Sequence, residues 1–298
     1  MENIEKSTSK KPILMLIIGV LGASMSAVFV KISSAPSVLT AAYRLLWTVL
    51  LMSPVVLGKK SVRQELLHVK PKTLLLSIAS GIMLAIHFST WFESLNHTTV
   101  ASSAIIVSTE VIWVAIGYRI FLKGRLGGKA ILAIFIAFVG SVLIAWNDSS
   151  VLGGSIKGDV LALIAAIAVG GYTLIGRVVR DSTSTAVYTY IVYVSSAVVL
   201  TVTSLIQGYP FFGYGYKGIL SGFLLAVFCT IMGHSIFSWC LKYFSPAFVS
   251  AAKLCEPVIE SICAVFLFSE IPTALQILGC VVVLAGVLYY TIIEMKKE

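Results

Sequence analysis

Apolar runs of about 20 residues recur along the whole chain, each closed by a short polar stretch. A helix needs roughly that length to cross a hydrocarbon core of about 30 Å. The pattern predicts ten helices, at 12–31, 36–57, 72–92, 98–119, 128–146, 158–178, 185–206, 217–241, 246–268 and 272–292. Helix-ending residues fall between them, at Pro36, Pro71, Gly127-Gly128, Pro210, Pro246 and Pro272. Alternating strands of about ten residues, the mark of an outer-membrane barrel, are not seen. The expected fold class is an all-α polytopic membrane protein.

A repeat underlies the pattern. Val100 to Trp113 is an apolar run with one carboxylate, Glu110, within it. A step of 146 residues brings Pro246 to Ile259 into the same place, with Glu256 on Glu110. The same step, without a gap, puts Leu95 on Leu241, Ala101 on Ala247, Ile131 on Ile277, Leu132 on Leu278 and Gly140 on Gly286. The chain then divides into a tail (1–12), a five-helix unit (13–146), a linker (147–157), a second five-helix unit (158–292) and a tail (293–298). Five is odd, so the second unit enters the membrane the other way up. Inverted-topology repeats of this kind frame many secondary transporters, because two similar halves can exchange conformations about a shared centre.

Charge gives the topology its direction. Only 12% of residues are charged, about half the share of a soluble domain. With both ends in the cytoplasm, 17 of the 22 Lys and Arg fall on that face, including Arg119, Lys123, Arg125 and Lys129 after helix 4. Lys31, Lys157 and Lys217 fall on the other face, and Arg44 and Lys253 lie inside helices. That asymmetry sets the orientation of a multi-pass protein of the cell (plasma or inner) membrane. The repeat counterparts of the four cations after helix 4 are Val265, Ser269, Ile271 and Leu275, as an outward loop requires. The net charge of +9 therefore reflects basic loops and not a nucleic-acid partner. Cys229, Cys240, Cys255, Cys263 and Cys280 all sit in apolar runs, with no metal or disulfide spacing, and no cofactor is expected.

Leu241-Lys242-Tyr243-Phe244-Ser245-Pro246-Ala247, Cys255-Glu256-Pro257-Val258, Phe268-Ser269-Glu270, Leu278-Gly279 and Ala285-Gly286-Val287 follow one another in the second unit. Over nearly its whole length the chain resembles the drug/metabolite transporter (DMT) superfamily, specifically its EamA-type ten-helix members. Those segments look like the family's helix 9 to helix 10 pattern, and Tyr43-Arg44 is similar to its helix 2 arginine. The first half departs from the pattern, with Val111 where a proline is usual and Gly124 where an acid is usual. The resemblance implies a 5+5 inverted repeat, a central cavity and transport of a small molecule, most often export. The family's substrates are diverse, so membership names no cargo.

Glu110 and Glu256 fall near the middle of helices 4 and 9. A charge there costs at least ~2.5 kcal/mol, so each must face a cavity or a partner. Either they line the transport path, holding a cationic group or a proton, or they are paired structurally. Lys253, three residues before Glu256, shares its helical face and can pair with it. Lys253 corresponds to Val107, so Glu110 has no such local partner. Pro257 removes a backbone donor and predicts a kink in helix 9. Arg44 fits a substrate carboxylate or phosphate, or serves as counter-ion to Glu110. His87 and Trp91, four apart, share a face of helix 3. His87 suits proton transfer, and Trp91 suits either stacking on a cation or the interfacial belt. Trp113 follows Glu110 by three residues and is placed on its face, and Tyr172, after Gly170-Gly171, is placed at the cavity. His234 reads as a satisfied interhelical hydrogen-bonder.

The function expected is secondary transport of a small polar metabolite by alternating access, as an exporter driven by a proton or cation gradient or by no coupling ion at all. An amino acid and an organic cation or drug remain open as cargo. The partners expected are that small molecule and the lipid bilayer; the sequence sets no oligomeric state. No glycine-rich phosphate loop is present to support an ATP-driven pump. An intramembrane enzyme would need a nucleophile with a base, or metal ligands at helical spacing such as HExxH, and a non-transporting sensor would need a soluble domain. Neither pattern is found, and the longest loops are near 15 residues.

Overall fold

The computed structural model describes residues 11–98, 100–148, 156–259, 262 and 273–296. Regular structure among them is entirely helical. In chain order the helices are α1 (Lys11–Ile32), α2 (Ser37–Gly58), α3 (Pro71–Ser94), α4 (Val100–Ser108 continued by Glu110–Ile120), α5 (Gly128–Asp148), α6 (Ile156–Val179), α7 (Thr185–Ile206), α8 (Gly215–Cys240), α9 (beginning Pro246–Ala252) and α10 (Ala274–Met295). Eight of them among the described residues are long and apolar enough to cross a membrane, and Gly128–Leu143 of α5 is a shorter apolar stretch. Most of the predicted linker and the predicted second half of helix 9, with Cys263 and Pro272, lie outside the described residues. The loop after α2 holds a further short helix, Lys60–Leu67, that the hydrophobic pattern does not show, because none of its residues is buried.

Packing runs between the repeats more than within them. α2 lies on α7, α4 on α9 and α5 on α10, while α1 meets α8 as α6 meets α3. Exchanging the two units maps this set of pairs onto itself, which is what an inverted 5+5 repeat requires. Lipid tails are as apolar as leucine, so close backbone approach replaces the hydrophobic effect as the source of helix association. The α5–α10 crossing shows this at its sharpest. A Cβ added to Gly140 would stand 2.6 Å from the Val283 backbone nitrogen, and one added to Gly286 would stand 2.5 Å from that of Ala137. Gly140 and Gly286 are related by the 146-residue step, and so are Ala137 and Val283. The two contacts are therefore one contact, seen from either side of a pseudo-two-fold axis.

The loops segregate into two faces. On one, Ser34 Oγ donates to the Tyr214 carbonyl, Tyr43 Oη to that of Phe211, and Thr98 Oγ1 to Asp159 at 2.9 Å. On the other, the Ser184 N–H donates to Glu65 at 2.6 Å and the Ser245 N–H to Glu294 at 3.0 Å. The aromatic loop 209–216 packs Phe211 edge-on against Tyr43, with ring centroids 5.5 Å apart, and so seats on the start of α2 beside Arg44.

Candidate functional site

Both acid-bearing helices leave regular α geometry immediately before their glutamates. α4 is interrupted at Thr109, whose N–H and Oγ1 both donate to the Ile106 carbonyl, at 3.1 and 2.6 Å. α9 tightens to a 3₁₀ turn over Lys253–Cys255. Pro257 has no N–H for the Lys253 carbonyl four residues back, and that carbonyl takes the Glu256 N–H instead. The predicted kink thus lies ahead of the proline, over residues 253–255. Thr109 and Cys255 are again one repeat step apart.

The interruption turns Glu110 into the interior. Its Oε1 accepts from Lys253 Nζ at 2.9 Å, Ser250 Oγ at 2.9 Å and Thr173 Oγ1 at 3.2 Å, and its Oε2 accepts from Lys253 at 3.1 Å. Glu110 is 7% exposed, low enough that a carboxylate without such donors would be costly. The Lys253 ammonium that the sequence offered to its neighbour Glu256 spans the two repeats to Glu110. Sequence reasoning missed Ser250 and Thr173. Ser250 lies three residues before Lys253, on the same helical face, and that spacing was the available signal.

Arg44 is fully buried and is not the counter-ion of Glu110. Its Nε donates to Thr230 Oγ1 at 2.7 Å and its Nη1 to Ser26 Oγ at 3.3 Å, with the guanidinium carbon 3.9 Å over the Phe88 ring. Hydroxyls and a π-face hold the cation at the wall of the space in front of it. Glu256 lines the same space as Arg44.

That space is a cavity of about 70 Å³, lined from seven helices and including Arg44, His87, Trp91, Glu110, His234, Lys253 and Glu256. In this conformation it has room for a few water molecules. His87 donates from Nδ1 to the Ala165 carbonyl at 3.0 Å, since a carbonyl only accepts, and its ring stacks on Trp91 with 5.8 Å between centroids. His234 faces His87 across 6.3 Å. The sequence expectation of a satisfied His234 does not hold, because its buried Nδ1 has no hydrogen-bond partner among the described residues. Its aim comes from a wide π-helical turn over Leu225–His234, which inserts backbone relative to α geometry and rotates the rest of α8 about its axis. Tyr172 stands behind His234, 5.8 Å between rings, with its hydroxyl on Ser238 at 2.8 Å, and does not line the cavity. Trp113 turns away: it is 36% exposed, its indole N–H lies 3.3 Å from Thr109 Oγ1, and it shares no cavity wall with Glu110.

The EamA-like transporter family model matches this chain twice, at residues 10–146 and 156–292. The chain belongs to the EamA-like transporter family. Curated relatives that match about two thirds or more of this chain carry transporter names. An uncharacterized transporter of Bacillus subtilis is 28% identical over 212 residues, 66% of each chain. An uncharacterized transporter of Clostridium kluyveri is 22% identical over 217 residues, 71% of this chain and 70% of that one. An uncharacterized transporter of Archaeoglobus fulgidus is 23% identical over 211 residues, 70% of this chain and 72% of that one. A solved crystal structure of a protein superposes with a TM-score of 0.78 over 98% of this chain and 100% of that one, at 15% identity, and so shares its fold. The EamA-type fold, a transporter role, a membrane setting and a small-molecule substrate come with family membership. Ligand, coupling ion and direction do not.

Proposed function

We propose that this EamA-like protein is a secondary transporter that exports a small polar metabolite across the cell membrane by alternating access. In this reading the units 13–146 and 158–292, joined by the 147–157 linker, rock against each other, and the tails 1–12 and 293–298 face the cytoplasm. The observation that supports it is the Glu110–Lys253 pair, which joins α4 to α9 across the repeats on the wall of the central cavity. Arg44, His87, Trp91, His234, Glu256 and the pair itself form the transport path. Tyr172 acts by holding His234 in place, and Trp113 acts through Thr109 at the break in α4.

A cavity of about 70 Å³ is below the usual range of ligand pockets, roughly 300–1,000 Å³, so this conformation is a closed one and loading requires the halves to part. The cavity offers cations and acids together, which suits a zwitterion such as an amino acid, with Arg44 on its carboxylate and an acid on its ammonium. An organic cation is the competing cargo and would need the acids alone. Transport by Arg44→Gln and Glu110→Gln variants in proteoliposomes, assayed with both cargo classes, separates them. Loss in both variants is expected for the amino acid. Loss in Glu110→Gln alone would move the assignment to the cation, and full activity in both variants would remove these residues from the path.

A further inference from the structure

A second concave surface, sharing no lining residue with the central cavity, lies between α4 and α5. It is a groove of about 990 Å³, walled by side chains such as Ile112, Ile116, Ile131 and Phe135, and its polar lining comes chiefly from Arg119 and Arg125 at one end. Ile116 is 46% exposed, Ile131 56% and Phe135 62%, as side chains in contact with acyl chains are. Arg119 ends the α4 segment Glu110–Ile120, and the turn after it doubles back. Lys123 takes a left-handed backbone, φ 52°, and the Gly124 N–H closes on the Tyr118 carbonyl at 2.9 Å. A Cβ at Gly124 would stand 2.2 Å from the Tyr118 ring, so a larger residue there would need that ring to move. Arg125 follows that turn and lines the same groove as Arg119. Both arginines are exposed, and among the described residues neither is in a salt bridge.

We infer that this groove is a binding site for an anionic phospholipid, with the phosphate-bearing headgroup on Arg119 and Arg125 and the acyl chains along the α4–α5 wall. The groove's lining runs along α4 from Ile112 to Ile120 and on to the basic loop at Arg125, and eight residues of helix rise about 12 Å, close to one leaflet's share of a hydrocarbon core of about 30 Å. A guanidinium pair matches phosphate oxygens in geometry as well as charge. Anionic lipids are drawn to basic residues at the membrane surface, by about 1 kcal/mol for each such residue. The repeat sharpens the assignment. The positions equivalent to Arg119 and Arg125 are Val265 and Ile271, so the second unit carries no such clamp and the site serves one leaflet only.

The test is thermal unfolding of the full chain in neutral detergent, with phosphatidylglycerol compared to phosphatidylcholine of the same acyl chains. Binding to the folded state raises the midpoint. Phosphatidylglycerol is expected to raise it by several degrees more, Arg119→Gln with Arg125→Gln to abolish the difference, and Lys123→Asn with Lys129→Gln to leave it intact. Equal shifts with the two lipids, or a difference that survives the arginine substitutions, would overturn the proposal. So would glycerol 3-phosphate reproducing the effect, since that would make the site one for soluble phosphate. Should the arginine variant not fold, Ile116→Trp, which fills the groove, is expected to lose the phosphatidylglycerol adducts that the unaltered chain retains in native mass spectrometry. Unchanged retention would exclude the groove as their location.

Discussion

α4 leaves helical geometry at Thr109 and α9 at Lys253–Cys255, each one residue before its glutamate, yet the two breaks have different causes. In α9 a proline withholds a donor. In α4, where Val111 replaces that proline, a threonine hydroxyl competes for the carbonyl. The repeat has kept a geometry while its chemistry diverged. The charges diverge in the same way. α9 brings Ser250 and Lys253 to the interface, where the equivalent α4 positions are Ala104 and Val107. One carboxylate of the related pair thus takes its donors from across the repeats, on a backbone frame that stays symmetric down to the Gly140 and Gly286 contacts.

The largest effect that would break this comparison is at Lys253. Lys253→Met leaves Glu110 buried without its cation, for which a loss of about 3–5 kcal/mol is expected. Adding Glu110→Gln should recover most of it, a coupling read from a double-mutant cycle of unfolding midpoints. Moving the cation by combining Lys253→Val with Val107→Lys places it in the α4 position beside the same cavity. A symmetric frame requires that combination to be more stable than Lys253→Val alone, and equal stability would mean that the frame is not symmetric where the charges sit.

A smaller effect tests the frame itself. Gly140→Ala and Gly286→Ala each drive a methyl into the facing backbone and should cost about 1–3 kcal/mol. The two losses should agree within error in thermal unfolding, because they strain one contact from opposite sides. Gly58→Ala, with nothing within 4 Å of the added carbon, should be neutral.

The smallest effects separate the two causes of helix breakage. Thr109→Val removes the hydroxyl bonds to Ile106 and Trp113 and should cost about 0.5–1.5 kcal/mol. Pro257→Ala restores an N–H to α9 and should slow hydrogen exchange around residues 253–257. Exchange that slows in α4 but not in α9 would reverse the assignment of causes.

Much of this was legible in the sequence, for physical reasons that also mark where legibility stopped. Hydrophobic length locates helices that must satisfy their own backbone in lipid, so the predicted ends fall within about three residues of those of the helices described in full. The repeat offset found from Glu110 and Glu256 also aligned Gly140 with Gly286, but only the fold shows that the two meet at one crossing. Lys253 was misread because sequence shows a neighbour three residues away and hides a partner 143 residues away. His234 was misread because its direction depends on a π-turn, a change of period that no 3.6-residue pattern reveals. Trp113 was placed on the face of Glu110 by spacing alone, but within the segment Glu110–Ile120 that both share its indole turns back to Thr109.

The pairing of helices across the repeats has a consequence for biosynthesis. Every helix named in the first unit takes a main contact from the second, so the first five to leave the ribosome enter the membrane before their partners exist. The glycine face of α5, shaped for α10, waits for nearly the whole remaining chain to be translated. In assembly terms the protein is a dimer made as one polypeptide, in which the tether between the halves supplies effective concentration and the interface supplies the structure.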